Sequence, residues 1–132
     1  MAPRIEAIDH LHIFVGNRQA SERWYADVLG FSRIPELAFW ARDGGPLTLQ
    51  DAGRQVHLAL FERPHQPCRS TIALRVSAQE FLAWRAHLSS KLPEHPKLEN
   101  HEVSLSLYFA DPDGNPFEIT TYEYEVLRDR QA

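Results

Sequence analysis

The sequence predicts an α+β fold in which paired βαβββ modules form a curved, mostly antiparallel sheet around a central cavity, with one helix per module on the outside. Three observations predict this fold. The order of strand, helix and further strands occurs twice, about sixty residues apart. Each half has one segment of helical period among segments that alternate. A short pattern also recurs, since Phe-Trp-Ala at 39–41 precedes Asp-Gly-Gly-Pro at 43–46, and Tyr-Phe-Ala at 108–110 precedes Asp-Gly-Asn-Pro at 113–116.

The repeat predicts a single domain over 1–132 that arose by an internal duplication, with the two copies at roughly 6–62 and 70–122. A chain of 132 residues with 43% hydrophobic and 24% charged residues is large enough to bury one core. We therefore expect both copies to belong to one folded domain.

The first half is predicted to contain a strand, a helix and a hairpin. Residues 8–15 alternate between polar and apolar side chains, and residues 17–31 repeat apolar side chains at helical spacing. Asn17 can cap that helix and Gly30 can end it. The rest is expected to be an irregular extended stretch over 31–41 and a hairpin over 46–62 with its turn at 51–54.

The second half repeats this order after a proline-rich connector at 63–69. Ser77 and Glu80 form a capping box at the start of its helix. The predicted elements are a strand over 70–76, a helix over 77–92, a loop or ragged strand over 93–102, and a hairpin over 103–122 that turns at 111–114.

The predicted strands each have one apolar and one polar face, because successive side chains on a strand point to opposite sides. The apolar faces should pack on the two helices and bury Trp24 and Trp84. The polar faces either face water, as one face of an antiparallel sheet often does, or line a cavity. Their histidines and single carboxylate favour a cavity over a water-exposed face, since imidazole and carboxylate groups are common metal ligands. The polar faces include His10, His12 and Phe14, His57 and Ala59, Ser104, Ser106 and Tyr108, and Glu118 and Thr120.

Charge and hydropathy exclude several classes of protein. The formal net charge is −4 and there is no basic block, so nucleic acid is not an expected partner. No apolar run approaches membrane-spanning length and the first ten residues contain no signal-peptide core, so we expect neither a membrane partner nor secretion. Cys68 is the only cysteine, which suits a reducing compartment. We expect a cytoplasmic protein with a small-molecule partner.

Two segments carry a family resemblance. IDHLHIFVGNRQASERWYADVLGF at 8–31 resembles the opening of vicinal oxygen chelate proteins, which include glyoxalase I, fosfomycin-resistance transferases, bleomycin-resistance proteins and extradiol dioxygenases. LYFADPDGNPFEI at 107–119 resembles their closing hairpin, and the likeness extends over roughly 6–122. The resemblance implies paired βαβββ modules around a metal, a small oxygenated substrate and a homodimer.

The resemblance also implies a metal site. It assigns His10 and Glu118 as ligands of one divalent ion, which could be Fe, Mn, Zn or Ni. The second-half counterpart of His10 is usually histidine, but here it is Thr71, whose hydroxyl is a weak ligand. His57, on the strand where glyoxalase I-like proteins supply a further ligand, is the expected replacement. His12 is a second imidazole on the same strand face as His10.

The extradiol dioxygenase branch implies catalytic residues as well. A tyrosine there precedes the metal glutamate by ten residues, as Tyr108 precedes Glu118, and a histidine lies shortly before it, as His101 does. These two would transfer protons, and His12 would face the substrate. Two alternatives stay open, namely a glyoxalase-like lyase or isomerase, and a metal-free ligand-binding protein of the bleomycin-resistance type, which Thr71 favours.

Overall fold

The computed structural model describes residues 1–130 and divides the chain into two compact units, one over 1–67 and the other from 68 onward. The first unit contains a four-stranded sheet in the order β1-β4-β3-β2, in which β1 runs parallel to β4 and the other pairs are antiparallel. Its elements are β1 Leu11–Val15, α1 Arg18–Trp24, a π-helical turn Tyr25–Leu29, β2 Ser32–Arg33, a 3-10 helix Pro35–Trp40, β3 Leu47–Gln50 and β4 His57–Glu62.

Local sequence signals set most boundaries of this unit as predicted. Asn17 Oδ1 accepts a hydrogen bond from the Ala20 amide at 3.0 Å, and Gly30 ends the helical segment at φ 73°, a left-handed conformation that suits glycine. The predicted turn at 51–54 is present, with the Arg54 amide donating to the Asp51 carbonyl at 3.0 Å.

Two boundaries of the first unit were predicted wrongly. The strand begins at Leu11 rather than at residue 8, because β1 pairs only with β4 and that pairing starts at Leu11 with Leu58. The stretch 31–41 is not irregular and extended, since it contains β2 and the 3-10 helix. Pro35 stands at the start of that helix, where its fixed φ is compatible with a helical turn.

The second unit has the same sheet topology, with strand order β5-β8-β7-β6 and a parallel pairing between β5 and β8. Ser77 Oγ accepts from the Glu80 amide at 3.2 Å, and the Gly114 amide closes the predicted turn on the Asp111 carbonyl at 3.0 Å. Its elements are β5 Ile72–Arg75, α2 Ala78–Lys91, β6 Lys97–Asn100, β7 Leu105–Ala110, β8 Pro116–Thr121, α3 Tyr124–Leu127 and a 3-10 turn Arg128–Arg130.

The α+β class and the paired modules are confirmed, and each sheet is mostly antiparallel with one parallel pair. The strands form two four-stranded sheets rather than a single one, because each module pairs its own first and last strands. No helix in residues 1–130 is long and apolar enough to cross a membrane. The duplication and the single-domain organisation stay predictions.

The predicted burial of Trp24 and Trp84 is wrong, since both side chains are only half-buried. The neighbouring Tyr25 and Phe81, at 0% and 2% exposure, are the buried aromatic residues of the helices instead. On α2 the buried stripe runs through Ala78, Phe81 and Leu88. Trp84 lies about 60° away from Phe81 around that helix, so its ring covers the edge of the stripe.

Candidate functional site

The first cluster of predicted site residues lies at the start of β1. The Asp9 carboxylate accepts from His10 Nδ1 at 2.8 Å, which leaves His10 Nε2 with its lone pair. His10 Nε2 lies 3.2 Å from His12 Nε2, and the two rings stack with centroids 5.1 Å apart. The structure therefore brings His10 and His12 together, with Asp9 orienting the first ring as outer carboxylates orient metal-binding imidazoles.

A cavity of about 370 Å³ lies over the polar face of the first sheet. Register places Gln50 opposite His57, and Thr48 opposite Ala59, so these side chains share one face. The 3-10 helix supplies an apolar wall. The lining residues are Asp9, His10, Ile34, Leu37, Trp40, Pro46, Thr48, Gln50, His57 and Ala59. Two predicted metal ligands, His10 and His57, therefore line the same cavity.

Arg18 holds one side of this cavity in place. Its guanidinium donates to the carbonyls of Ala41, at 3.3 Å, and of Gly45, which flank the loop that joins the 3-10 helix to β3. The Arg18 amide donates to Glu62 at the end of β4, at 3.0 Å. The apolar wall is thus tied to both α1 and the sheet.

Thr48 is one of two polar residues of the cavity, with Gln50, that sequence reasoning missed. The Thr48 side chain is 5% exposed, and its Oγ1 has no hydrogen-bond partner among the residues that the structure describes. A buried hydroxyl is normally hydrogen-bonded, because burial without a partner costs free energy. The alternation of Leu47, Thr48 and Leu49 was a usable signal, since it puts Thr48 on the sheet face opposite the leucines.

The second unit carries Glu118 in the middle of β8, between Phe117 and Ile119, which are each 1% exposed. Glu118 points to the other face and is half-buried there. Ser106 Oγ donates to Glu118 Oε2 at 2.6 Å and lies 3.0 Å from Thr120 Oγ1. The carboxylate is therefore held by a fully buried serine, a contact that the sequence analysis did not predict.

Tyr108 and His101 lie beside this carboxylate. Tyr108 is paired with Glu118 across β7 and β8, and its hydroxyl is 3.0 Å from His101 Nε2. Burial of the hydroxyl and the nearby negative charge of Glu118 raise the pKa of Tyr108 above its ordinary value. The phenol therefore stays protonated at neutral pH and can donate a hydrogen bond or a proton.

Strand register gives the counterparts of Glu118 and His57 in the other unit. His12 and Ala73 are each the second residue of the first strand of their unit. His12 pairs with Ala59 and Ala73 pairs with Glu118, so Ala59 and Glu118 occupy equivalent positions. His57 and Pro116 are each the first residue of the last strand of their unit, where they pair with Gln50 and Ala110. The counterpart of His57 is therefore Pro116. His57 thus lies two residues before the position equivalent to Glu118, an offset that the sequence did not reveal.

The predicted site residues divide evenly between the units. His10, His12 and His57 belong to the first, and His101, Tyr108 and Glu118 to the second. Thr71 is exposed and directly precedes β5. Taken by itself, neither unit groups three His, Cys, Asp or Glu side chains into a metal site within residues 1–130. Of the predicted ligands, His10 and His57 belong to the first unit and Glu118 to the second.

Comparison with known proteins identifies the class. A model of the Glyoxalase/Bleomycin resistance protein/Dioxygenase superfamily matches residues 7–119. This chain belongs to that superfamily, as the paired modules and the resemblance predicted.

Individual relatives extend this result. The chain is 29% identical over 124 residues to the uncharacterized protein YaeR of Escherichia coli (strain K12), covering 87% of this chain and 95% of that protein. It resembles the integron cassette protein HFX_CASS4 from the metagenome of Halifax Harbour Sewage Outfall, with a TM-score of 0.71, 24% identity, and coverage of 89% and 99%. It also resembles FosX, a fosfomycin resistance protein of Listeria monocytogenes complexed with Mn(II) and sulfate, with a TM-score of 0.66, 14% identity, and coverage of 96% and 98%.

Proposed function

We propose that this chain is a metal-dependent enzyme of its superfamily that acts on a small oxygenated molecule, with catechols as the first class to test. One observation carries the proposal, namely the position of His10 Nε2. Two imidazole nitrogens that bind one first-row metal at about 2.0–2.1 Å lie roughly 3.0–3.4 Å apart. The 3.2 Å between His10 Nε2 and His12 Nε2 agrees with such a pair, in which a metal ion would replace the hydrogen bond between these two nitrogens, and the Asp9 carboxylate orients the His10 ring.

The donor types also fit a divalent metal. We propose His10, His57 and Glu118 as its ligands, with His12 facing the substrate. Imidazole and carboxylate together suit Fe, Mn, Zn or Ni. The Mn(II) complex of FosX supports a divalent ion in a protein of this fold. Such an ion would act as a Lewis acid and orient substrate oxygens.

The second unit would supply proton transfer. Tyr108 OH is protonated at neutral pH and contacts His101 Nε2 at 3.0 Å, so a proton can move between these two atoms. Glu118 lies next to Tyr108 and is held by Ser106, which fixes where its carboxylate oxygens lie. We propose Tyr108 and His101 as the acid–base pair, with His12 as a substrate contact.

The test is elemental analysis of anaerobically purified protein, followed by oxygen uptake with a catechol panel. We expect about one metal ion per chain, and His10→Ala, His57→Ala and Glu118→Gln should each lower metal affinity at least tenfold. His65→Ala, at an exposed loop histidine, is the matched control and should retain the metal. A parent protein without metal contradicts the proposal. Full occupancy in His57→Ala with loss in His12→Ala would assign the third ligand to His12 instead.

A metal-free ligand-binding protein of the bleomycin-resistance type is the second candidate. Thr71, at the position where the superfamily usually has a ligand histidine, favours it. Ligand binding that survives chelator, in a protein that retains no metal, would support this function over the enzyme. The homodimer and the cytoplasmic location stay predictions.

A further inference from the structure

The cavity of the first unit lies where the polar face of its sheet has small side chains. Thr48 and Ala59 pair across β3 and β4, and strand register makes Tyr108 and Glu118 their counterparts in the second sheet. Threonine and alanine side chains are shorter than those of tyrosine and glutamate, so the first sheet leaves open a space that the second sheet occupies. The volume of about 370 Å³ is in the range of small-molecule pockets.

An apolar helical turn covers this space without being buried itself. The 3-10 helix Pro35–Trp40 has apolar side chains at every position except Glu36, yet none of its residues is buried. Trp40 is 46% exposed and lines the cavity together with Leu37 and Ile34. An exposed apolar surface beside a cavity is typical of a binding site, because a ligand in the cavity removes that surface from water.

The protein holds this apolar wall in place by contacts of its own. A Cβ at Gly45 would clash with the Trp40 carbonyl oxygen, so only glycine lets the loop after the helix pass this close. The Gly45 amide donates to the Arg42 carbonyl, and the Arg42 amide to the Trp40 carbonyl, both at 2.9 Å. The Arg18 guanidinium donates to the carbonyls of Ala41 and Gly45. A wall that is already ordered loses little conformational entropy when a ligand binds.

The charges around the cavity disfavour an ionic ligand. No lysine or arginine of residues 1–130 is among the lining residues, so without a metal an anion would lose its hydration and gain no counter-charge there. The carboxylate of the lining belongs to Asp9, whose side chain is 94% exposed and accepts from His10 Nδ1. Because water screens this carboxylate, it attracts a cation only weakly.

We propose that the first unit binds an uncharged, flat aromatic ring system between the Trp40 side chain and the polar face of its sheet. Aromatic rings pack on one another offset-stacked or edge-to-face, so the Trp40 ring favours a flat partner. His10 and His57 line the same cavity, so a bound ring would lie beside the proposed metal ligands. As a statement about the substrate class, this inference rests on the proposed function, whereas binding of the ring itself does not require the metal.

Equilibrium dialysis of naphthalene against chelator-treated protein tests this site. Trp40→Ala removes the ring and should weaken naphthalene binding at least about tenfold. Trp40→Phe keeps a flat ring and should bind within about threefold of the parent. Leu37→Ala truncates a second lining side chain and should weaken binding about threefold, which tests the site even if Trp40→Ala does not fold.

Ligand analogues test the chemical class with the parent protein. Decahydronaphthalene has the carbon skeleton of naphthalene without its flat rings, and it should bind more weakly. The anion 2-naphthoate should also bind more weakly than naphthalene, because the lining offers it no cationic side chain.

Two aromatic residues outside the cavity are matched controls. Phe39 belongs to the same 3-10 helix and is 57% exposed, but it is not among the lining residues. Trp24 is a half-buried tryptophan of the same unit and does not line the cavity either. Phe39→Ala and Trp24→Ala should therefore each leave the affinity for naphthalene within about twofold of the parent.

Three results would overturn the inference. These are no saturable binding of naphthalene to the parent protein, equal losses in Phe39→Ala and Trp40→Ala, and tighter binding of decahydronaphthalene or 2-naphthoate than of naphthalene. The proposed function fails by a different result, namely a parent protein that retains no metal. Saturable naphthalene binding in such a protein would support the ring site and the metal-free candidate together.

Discussion

The two units have the same strand order but use their polar sheet faces differently. In the second unit the polar groups satisfy one another, since Ser106 donates to Glu118 and Thr120 donates to the Leu105 carbonyl at 3.2 Å. In the first unit the polar face borders a cavity and leaves Thr48 without a protein partner among the described residues. One face is closed by internal hydrogen bonds, and the other borders a cavity and contains a buried hydroxyl without a partner among the described residues.

The contrast between the two polar faces can be followed at structurally equivalent positions of the two sheets. The row His12, Ala59 and Thr48 of the first sheet corresponds to Ala73, Glu118 and Tyr108 of the second. Each row has one alanine, but on a different strand. The opposite faces stay apolar in both units, with Leu58 and Leu60 in one and Phe117 and Ile119 in the other. The apolar faces thus preserve the topology, while the polar faces are free to diverge in chemistry.

The largest expected effects test whether the helices of the two units are anchored alike. Tyr25→Ala and Phe81→Ala each remove a buried ring and should lower the free energy of unfolding by about 3–5 kcal/mol. Trp24→Ala and Trp84→Ala remove half-buried rings and should cost less than about 2 kcal/mol. Urea unfolding followed by circular dichroism measures all four.

The tryptophan variants serve as controls of similar size for the buried positions. If either tryptophan variant is destabilised as much as its buried neighbour, the burial that distinguishes these positions is not what anchors the helix. A large loss in one unit and a small one in the other would show that the units have different cores despite their common topology.

A smaller effect sharpens the contrast between the closed and the open polar face. Ser106→Ala leaves a half-buried carboxylate oxygen without its donor and should cost about 1–2 kcal/mol. Thr48→Val removes a hydroxyl without a protein partner and should change stability by less than about 0.5 kcal/mol or increase it. Both are measured by urea unfolding. Equal losses in the two variants would show that the Thr48 hydroxyl is satisfied in the folded protein.

The sequence predicted those parts of the fold that depend on local signals. Asn17 and Ser77 cap the helices, Gly30 ends one, and alternation sorted the strand faces. The parallel pairing of β1 with β4 and the 3-10 helix were not predictable in this way. The parallel pairing depends on contacts between segments that are distant in the chain. The 3-10 helix begins at a proline and has no hydrophobic periodicity, so its sequence contains no strong local signal.

The candidate site was predictable to a similar degree. Face alternation put Tyr108 and Glu118 on polar strand faces, and the resemblance suggested Tyr108 and His101. Strand pairing and the 3.0 Å contact of Tyr108 with His101 bring all three together. The offset of His57 was not predictable, because strand register depends on pairing across the sheet. Alternation could have put Thr48 on the polar face, but nothing in a sequence distinguishes a hydroxyl with a hydrogen-bond partner from one without.

The last prediction concerns the coupling of Tyr108 to Glu118, for which the first unit has no counterpart. The pKa of Tyr108 is raised by burial and by the Glu118 charge, so we expect its phenol to titrate above the ordinary value of about 10. Glu118→Gln removes the charge and should lower that pKa. Absorbance at 295 nm, taken as the difference between the parent and Tyr108→Phe, isolates this tyrosine among the four in the chain.

The raised pKa of Tyr108 also determines how the stability of the protein changes with pH. The folded state disfavours the phenolate, so the contribution of Tyr108 to stability is fully present below about pH 10 and is lost as the pH rises through its raised pKa. Glu118→Gln should therefore weaken the alkaline loss of stability, with little change at pH 7. Glu80→Gln removes one exposed charge at the start of α2 and is the matched control. If Tyr108 titrates at or below 10, or if Glu80→Gln shifts it as much as Glu118→Gln does, the two side chains are not coupled and the closed polar face of the second unit does not include the phenol.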